Sequence, residues 1–399
     1  MHPSLHDLMR EATRLTQAGR LNEATEALQR ALGGGPAAAS GPAQAHTHTD
    51  GPLDRLAPMG RHLAQPLVLD GCVFEPVDRA AASCGAGTGV FIEGSHTHVS
   101  LTRRYKLYVP PSHAGQCLPL VVMLHGCTQD PDDFAAGTGM NQRAREQGFF
   151  VLYPAQAQDA NPSRCWNWFK HNHQRRESGE AALLANLTRS VIDRYGIDTR
   201  RVYIAGLSAG GAMAATVAAL FPELFAAAGV HSGLASGAAG NLAEALAAMK
   251  SGSGASAGGY PKARRFGAAP ERPPLPQTPV PTIVFHGDQD QTVHPRNGQQ
   301  VIAAALGGTA GATGSTGART PTPATARVEQ GISANGKRYT RTTHDGGDGT
   351  PLAEHWLVHG AGHAWSGGLA TGSYTDASGP DASSEMLRFF FAQARGARH

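Results

Sequence analysis

The chain has 399 residues, of which 41% are hydrophobic and 16% charged, so it is long enough to bury a substantial core and to form more than one unit. Lysine and arginine (34) nearly balance aspartate and glutamate (31), and the net charge of +3 excludes the strongly basic surface of a dedicated nucleic-acid-binding protein. Five cysteines are an odd number without a CxxC pair, which argues against a disulfide framework and a zinc site.

Targeting signals are the next feature of the sequence. The chain begins MHPSLHD, without a cationic start and an apolar segment, so we expect no secretory signal peptide and a cytoplasmic location. No stretch approaches 18 consecutive apolar residues, which argues against a membrane span.

The N-terminal part differs in composition from the rest. Residues 1–32 predict a helical arm of two short helices, and AGRLNEATEALQRAL resembles one unit of a tetratricopeptide repeat. Such units need about three copies to bury a core, so we interpret the segment as an arm that packs on the main domain or docks on a partner. Residues 33–87 predict a linker and an irregular lead-in, because they are rich in Gly, Ala and Pro without a period.

From about residue 88, strands and helices alternate. VFIEGSHTHVS and RRYKLYVP predict strands, and LPLVVMLHG is a continuous apolar run typical of a buried strand. Further strands (FFVLYP, RVYIAG, AAAGVHS, TIVFHG) alternate with helices predicted at about 131–147, 178–195, 209–221 and 381–395. This alternation predicts an α/β domain over residues 88–399, with a mostly parallel sheet wrapped by helices. Low-complexity insertions at 235–279 and 307–325 predict surface loops.

The pattern GxSxG occurs twice, in different contexts. At 254–258 it lies inside a Ser/Gly-rich insertion, with no predicted strand before it, and we interpret it as compositional. At 206–210 it follows the strand RVYIA and opens the helix GAMAA. A strand, a sharp turn and a helix are what a nucleophile elbow requires, so Ser208 is the candidate nucleophile.

A serine nucleophile needs an acid and a base, which follow it along the chain in this fold class. The predicted strand TIVF is followed by HGDQDQTV, which places Asp288 and Asp290 in one loop, and spacing does not choose between them. His363 lies on a glycine-flanked loop and is the favoured base. The other histidines after Asp290 are His294, His344, His355, His359 and His399. His359 and His363 have H-x3-H spacing without a third ligand, so we expect no metal.

The oxyanion hole of such a site combines the N–H after the nucleophile with one from an upstream strand end. Ala209 supplies the first. The strand VVML breaks at His125-Gly126, which points to the N–H of Cys127 as the second.

Taken together, these motifs resemble the poly(3-hydroxybutyrate) depolymerase family of esterases. The resemblance covers about residues 88–395 and rests on LHGCTQ, DDFAAGTGMN, CWNWF, RVYIAGLSAGGAMAA, HSGL, HGDQDQTVHPRNG and GHAWSGG. It implies an α/β-hydrolase fold, hydrolysis of a hydroxyalkanoate polymer or oligomer, and no cofactor. It makes Ser208 the nucleophile, Asp290 the acid and His363 the base, with the Cys127 and Ala209 amides in the oxyanion hole.

Departures from the family qualify this interpretation. Secreted members have a signal peptide and a C-terminal polymer-binding domain, and we see neither, so we expect an intracellular form with a catalytic domain of the secreted type. A Cys127–Cys165 disulfide, as in secreted relatives, would be rare in a reducing cytosol, and two buried thiols are the alternative. We also predict that four residues bind substrate, with core packing as the alternative for each tryptophan: His125, Trp166, Trp168 and Trp365.

Three functions are therefore considered. The first is a serine esterase acting on poly(3-hydroxybutyrate) or its oligomers. The second is a carboxylesterase for small aryl or acyl esters, like feruloyl and acetylxylan esterases. The third is a granule-binding protein with a vestigial hydrolase domain, in which residues 1–32 would contact the polymer granule surface.

Overall fold

The computed structural model describes residues 88–252, 280–307, 326–346 and 349–396. The predicted arm at 1–32 and linker at 33–87 lie outside the described residues, as do 253–279 and 308–325 of the two insertions.

Strands and helices alternate through the described part of the chain. The strands are β1 (Val90–His98), β2 (Leu101–Val109), β3 (Leu120–Leu124), β4 (Phe150–Pro154), β5 (Val202–Leu207), β6 (Ala227–His231), β7 (Thr282–Gly287), β8 (Ala326–Ile332), β9 (Arg338–Asp345), β10 (Pro351–Val358), β11 (Trp365–Ser366) and β12 (Thr375–Asp376). The helices are α1 (Pro131–Thr138), α2 (Met140–Gln147), α3 (Gly179–Tyr195), α4 (Ala209–Leu220), α5 (Leu242–Ser251), α6 (Arg296–Ala305) and α7 (Ala382–Phe391).

Ten strands form one sheet in the order β1-β2-β4-β3-β5-β6-β7-β10-β9-β8. The six strands from β4 to β10 in this order are parallel, and the strands beyond them on either side are antiparallel. β11 and β12 pair separately as a short parallel ribbon. The predicted architecture, a mostly parallel sheet wrapped by helices, is confirmed.

Strand β3 shows why the central strands are continuous apolar runs. All five of its residues are buried. Leu120, Val122 and Leu124 pack in the core on one face of the sheet, and Val121 and Met123 pack in the core on the other. Successive side chains of a strand point to opposite faces, so a strand covered by helices on both faces needs apolar residues at every position.

The structure differs from the predicted elements in several places. The predicted helix at 131–147 is two helices, because Gly139 adopts a left-handed conformation (φ 61°) between them. The insertion predicted from residue 235 contains the helix α5, whose N-cap Asn241 accepts a hydrogen bond from the Glu244 N–H. The antiparallel pair of β8 and β9 was not predicted.

Candidate active site

The candidate residues follow the carboxyl ends of parallel strands. Strands β3, β5, β6, β7 and β10 end close to level with one another, since Leu124 pairs with Gly206, Leu207 with His231, and Val358 with Gly287. The carboxyl edge of an open α/β sheet is where such folds place their ligands. The loops that leave this edge, together with the first residue of α4, contain all five residues predicted for the triad and the oxyanion hole.

Ser208 occupies the sharp turn between β5 and α4. Its backbone has φ 57° and ψ −119°, outside the conformations that a serine ordinarily adopts, and the residue is 9% exposed. Its N–H donates to the carbonyl of His231 (2.9 Å), which attaches the turn to the neighbouring strand. The side chain stands at the N-terminus of α4, where the helix dipole favours negative charge.

The glycines on either side of this turn are required by close packing. A Cβ on Gly206 would lie 2.5 Å from the carbonyl oxygen of Gly210, and a Cβ on Gly210 would lie 2.5 Å from that of His125. Both distances are far below van der Waals contact, so larger residues would displace the serine turn from the loop after β3.

Asp290 and His363 form a hydrogen-bonded pair at this edge. His363 Nδ1 lies 2.7 Å from Asp290 Oδ2, and the aspartate side chain is fully buried. Asp290 Oδ1 accepts the N–H groups of Thr292 (2.9 Å) and Val293 (2.8 Å), so the carboxylate is held in one orientation.

Electrostatics keep this aspartate ionised. Burial opposes ionisation, but hydrogen bonds from His286 and His363 outweigh it and hold the pKa of Asp290 below its usual range. An ionised carboxylate only accepts hydrogen bonds, so His363 carries its hydrogen on Nδ1. The lone pair of Nε2 then remains free to accept a proton.

A second histidine–aspartate pair lies beside the first. His359 Nδ1 lies 2.9 Å from Asp288 Oδ2, and Asp288 Oδ1 accepts the N–H of Gly360 (2.7 Å). His359 Nε2 is occupied by the hydroxyl of Thr340, at 2.8 Å. This pair therefore has no free nitrogen for a serine, and it ties the loop after β7 to the loop that carries His363.

His231 connects the serine turn to the segment that follows His363, and sequence reasoning did not select it. Its carbonyl accepts the Ser208 N–H, and its Nε2 accepts the N–H of Ser366 (2.9 Å). Burial lowers the pKa of His231 to about 3, so the ring is neutral. The motif HSGL was visible in the sequence, but nothing in it indicated these contacts.

The second predicted oxyanion donor is held by its neighbours. His125 Nδ1 donates to the carbonyl of Gly126 (2.7 Å), and His125 Nε2 accepts the N–H of Gln156 (3.1 Å). A trans peptide places its C=O and N–H on opposite sides, so the bond to Gly126 fixes the direction of the Cys127 N–H. Within the described part of the chain, no backbone carbonyl accepts the N–H of Cys127 or Ala209.

Cys127 and Cys165 form a disulfide. The bond joins the loop after β3 to the loop that precedes α3. The N–H of Thr128 also donates to the carbonyl of Ser163 (2.7 Å), which joins the same two loops. Of the two possibilities left open by the sequence, the structure contains the disulfide.

Glu180 holds the loop that precedes α3 in place, and sequence reasoning did not select this residue either. It is fully buried and accepts hydrogen bonds from Arg103 (3.0 Å), Gln156 (2.7 Å) and both the backbone N–H (2.7 Å) and the side-chain amide (2.8 Å) of Asn167. A buried carboxylate is stable only when it is paired and hydrogen-bonded in this way. Gln156 in turn contacts His125, so the Glu180 contacts extend to the oxyanion loop.

The four residues predicted to bind substrate are buried. His125 is 1% exposed and Trp166, Trp168 and Trp365 are 0%, 5% and 1% exposed. Trp166 packs on His125, and Trp365 stacks on His231 and donates to Ser383. The expected apolar surface of tryptophans is therefore wrong: all three rings are buried, and Trp166 and Trp365 support His125 and His231 from within the core.

Two further properties concern ions and membranes. Among the described residues, no group of three or more His, Cys, Asp or Glu side chains is arranged to hold a metal ion. None of the described helices combines the length and apolarity needed to cross a bilayer.

Comparisons with known proteins agree with this geometry. Residues 103–329 match the model of the family described as Esterase PHB depolymerase. The chain is 29% identical over 192 residues to poly(3-hydroxyalkanoate) depolymerase C of Paucimonas lemoignei, covering 48% of this chain and 45% of that protein. It is 29% identical over 225 residues to acetylxylan esterase A of Talaromyces purpureogenus, covering 53% and 55%. The chain spans about half the length of the curated relatives it matches.

Among solved structures, the acetyl xylan esterase from Aspergillus awamori superposes with a TM-score of 0.52 at 18% identity, covering 75% of this chain and 99% of that one. A likeness at this identity concerns the fold, and the α/β-hydrolase fold expected from the sequence is confirmed.

Proposed function

The chain belongs to the Esterase PHB depolymerase family, and from this premise we propose that it is a serine hydrolase of carboxylic esters. One observation carries the proposal. The strained Ser208 turn after β5 and the Asp290–His363 pair after β7 and β10 lie at one edge of the sheet, and His231 at the end of the intervening strand β6 is hydrogen-bonded to Ser208 and to Ser366. A serine, a histidine and an orienting carboxylate are the parts of acyl transfer through a covalent intermediate.

In the first half of the reaction, Ser208 Oγ attacks the ester carbonyl while His363 Nε2 accepts its proton. Asp290 keeps the histidine hydrogen on Nδ1 and stabilises the imidazolium that forms. The N–H groups of Cys127 and Ala209 donate to the oxyanion. Removing one such donor typically costs about 10²–10³-fold in kcat, so the orientation of the Gly126–Cys127 peptide matters for rate.

The ester C–O bond then breaks, and His363 gives its proton to the leaving alcohol, which completes the acyl-enzyme. In the second half, a water molecule takes the place of that alcohol. The histidine accepts a proton from this water as it attacks the acyl-enzyme. The acid product leaves and Ser208 recovers its hydrogen. No cofactor takes part in this sequence of steps.

We propose poly(3-hydroxybutyrate) or its oligomers as substrate. Support comes from the matched family and from the relative named a poly(3-hydroxyalkanoate) depolymerase. The competing candidate is a small acyl or aryl ester, as in acetylxylan and feruloyl esterases. It is favoured by the relative and the superposed structure that are named acetylxylan esterases.

The cytoplasmic location and the contact of residues 1–32 with a polymer granule stay predictions. The disulfide between Cys127 and Cys165 weighs against a reducing compartment, because glutathione and thioredoxin keep cytosolic thiols reduced. Trapping free thiols with a maleimide in intact cells would test this: two modified residues at 127 and 165 indicate a reducing environment.

The experiment compares product release from hydroxybutyrate oligomers, amorphous polymer, an acetyl ester and a feruloyl ester. Ser208→Ala is expected to lose about 10⁴–10⁶-fold in rate on every ester that the unaltered protein hydrolyses. Ser256→Ala, in the second GxSxG pattern, is the matched control and is expected to match the unaltered protein. Retained activity in Ser208→Ala would disprove the mechanism, and faster turnover of acetyl or feruloyl esters than of oligomers would disprove the substrate.

A further inference from the structure

The exposed aromatic residue beside the candidate site is Tyr374, and the mechanism does not use it. It is 47% exposed, whereas the tryptophans expected at this place are buried. It lies in the loop between β11 and β12, and Leu369 in the same loop is 45% exposed. Tyr374 therefore presents apolar surface to solvent beside the oxyanion loop at the carboxyl edge of the sheet.

Hydrogen bonds place Tyr374 between the oxyanion loop and the segment that carries His363. Its hydroxyl lies 3.1 Å from the Thr128 hydroxyl, which donates to the carbonyl of Cys127 (2.6 Å). Since the Thr128 hydrogen is used in this way, the tyrosine O–H donates to Thr128 Oγ1. On the other side, the carbonyl of Tyr374 accepts the N–H of Trp365 (2.7 Å).

The loop that holds the ring is fixed to the body of the domain. The residue before Tyr374, Ser373, donates its N–H to Asp133 (2.8 Å), and its carbonyl accepts the side-chain amide of Gln129 (3.1 Å). Gln129 also accepts the N–H of Gly126, the residue before Cys127 (2.9 Å). The ring therefore keeps a constant position relative to the oxyanion loop.

The backbone conformation of Tyr374 indicates that its ring contacts a ligand. Tyr374 has φ 51°, a left-handed conformation that is costly for a bulky residue and free of cost for glycine. An aromatic side chain that is half exposed recovers little of this cost by burial within the protein. Strained residues of this kind concentrate at ligand-contacting positions.

We propose that Tyr374 is the specificity-determining wall against which the substrate chain packs beyond the scissile ester. This inference rests on the proposed esterase function and deepens it. A ring face favours an extended apolar ester, such as linked 3-hydroxyacyl units. An acetyl ester is too short to cover it, so it gains nothing from the wall.

The test measures kcat/KM for a hydroxybutyrate trimer and for a short acetate ester of one chromogenic alcohol. Tyr374→Gly removes the ring and suits the left-handed backbone, so it is the variant that is expected to fold. Its trimer-to-acetate ratio of kcat/KM should fall about tenfold, the effect of losing a modest apolar contact in a binding site. Tyr374→Phe keeps the ring without the hydroxyl, and its ratio should fall by less than about twofold.

The control variant is Ile332→Ala on the edge strand β8, another exposed apolar residue (67%), and it should leave the ratio unchanged. A thermal melt of each variant separates folding from specificity. An unchanged trimer-to-acetate ratio in Tyr374→Gly, or an equal fall of this ratio in Tyr374→Phe, would overturn the assignment of Tyr374 as the specificity-determining wall. An unaltered protein that hydrolyses neither ester would instead overturn the proposed function, and the inference with it.

Discussion

Replacing Asp290 by asparagine is expected to abolish most activity through the histidine tautomer. Asp290 Oδ1 accepts two N–H groups, from the exposed Thr292 and the buried Val293. The asparagine keeps its oxygen there, because turning its NH₂ toward these donors would leave the buried N–H of Val293 unpaired, at about 1–3 kcal/mol. The NH₂ group then faces His363 Nδ1, which can no longer donate. The hydrogen moves to Nε2, the nitrogen that must accept the proton of Ser208.

The magnitude follows from this change of tautomer. We expect Asp290→Asn to lower kcat about 10⁴-fold, which corresponds to about 5.5 kcal/mol in activation free energy. The assay is steady-state hydrolysis of a soluble ester, accompanied by a thermal melt to show that the variant is folded.

Asp288→Asn is the matched control for this substitution. It makes the same isosteric change in the neighbouring pair, whose histidine already has both nitrogens occupied. We expect Asp288→Asn to lower kcat by at most about tenfold, through looser positioning of the His363 loop. Equal losses in the two variants would refute the assignment of the acid, and a larger loss in Asp288→Asn would reverse it.

Two further predictions concern stability. Cys165→Ser should lower the free energy of unfolding by about 4 kcal/mol, since the disulfide closes a loop of 38 residues. In reductant, the unaltered protein should lose a similar amount and the variant nothing more, and a chemical denaturation series measures both. His125 and His231 are neutral in the fold, with pKa values lowered by burial to about 4 and about 3. Below a pH of about 6.5 the unfolded chain binds more protons, so each should cost about 2 kcal/mol of stability at pH 5, and an unchanged Tm between pH 7 and pH 5 would contradict this.

Local signals in the sequence predicted the elements that position the site. The strand, turn and helix around Ser208 are encoded within about twenty neighbouring residues, so the pattern at 206–210 could be separated from the compositional one at 254–258. Five of the six parallel strands were likewise predictable, because each is a short, mainly apolar run followed by a turn, whereas β10 contains Glu354 and His355. The break at Gly139 was missed because an isolated glycine is compatible with a helix.

The pairing of acids and bases could not be predicted from the residues alone. Asp288 and Asp290 lie in one loop, as do His359 and His363, and both pairs form in the structure. Only the contact of Thr340 with His359 shows which histidine is already occupied, and that contact joins strand β9 to the loop after β10. The prediction that the tryptophans are exposed failed for a similar reason, since the exposure of a side chain depends on neighbours that are distant in sequence.

The backbone at Ser208 has a consequence for how such a protein evolves. A serine at φ 57° costs of order 1–3 kcal/mol, and net stabilities of domains are only about 5–15 kcal/mol. The strained serine therefore lowers the free energy of unfolding by a sizeable fraction of its total, and glycine in the same position would remove this cost. Mutational tolerance elsewhere in the domain is reduced by that amount. Selection for stability alone would discard the side chain, so its retention requires continuing selection for what the hydroxyl does.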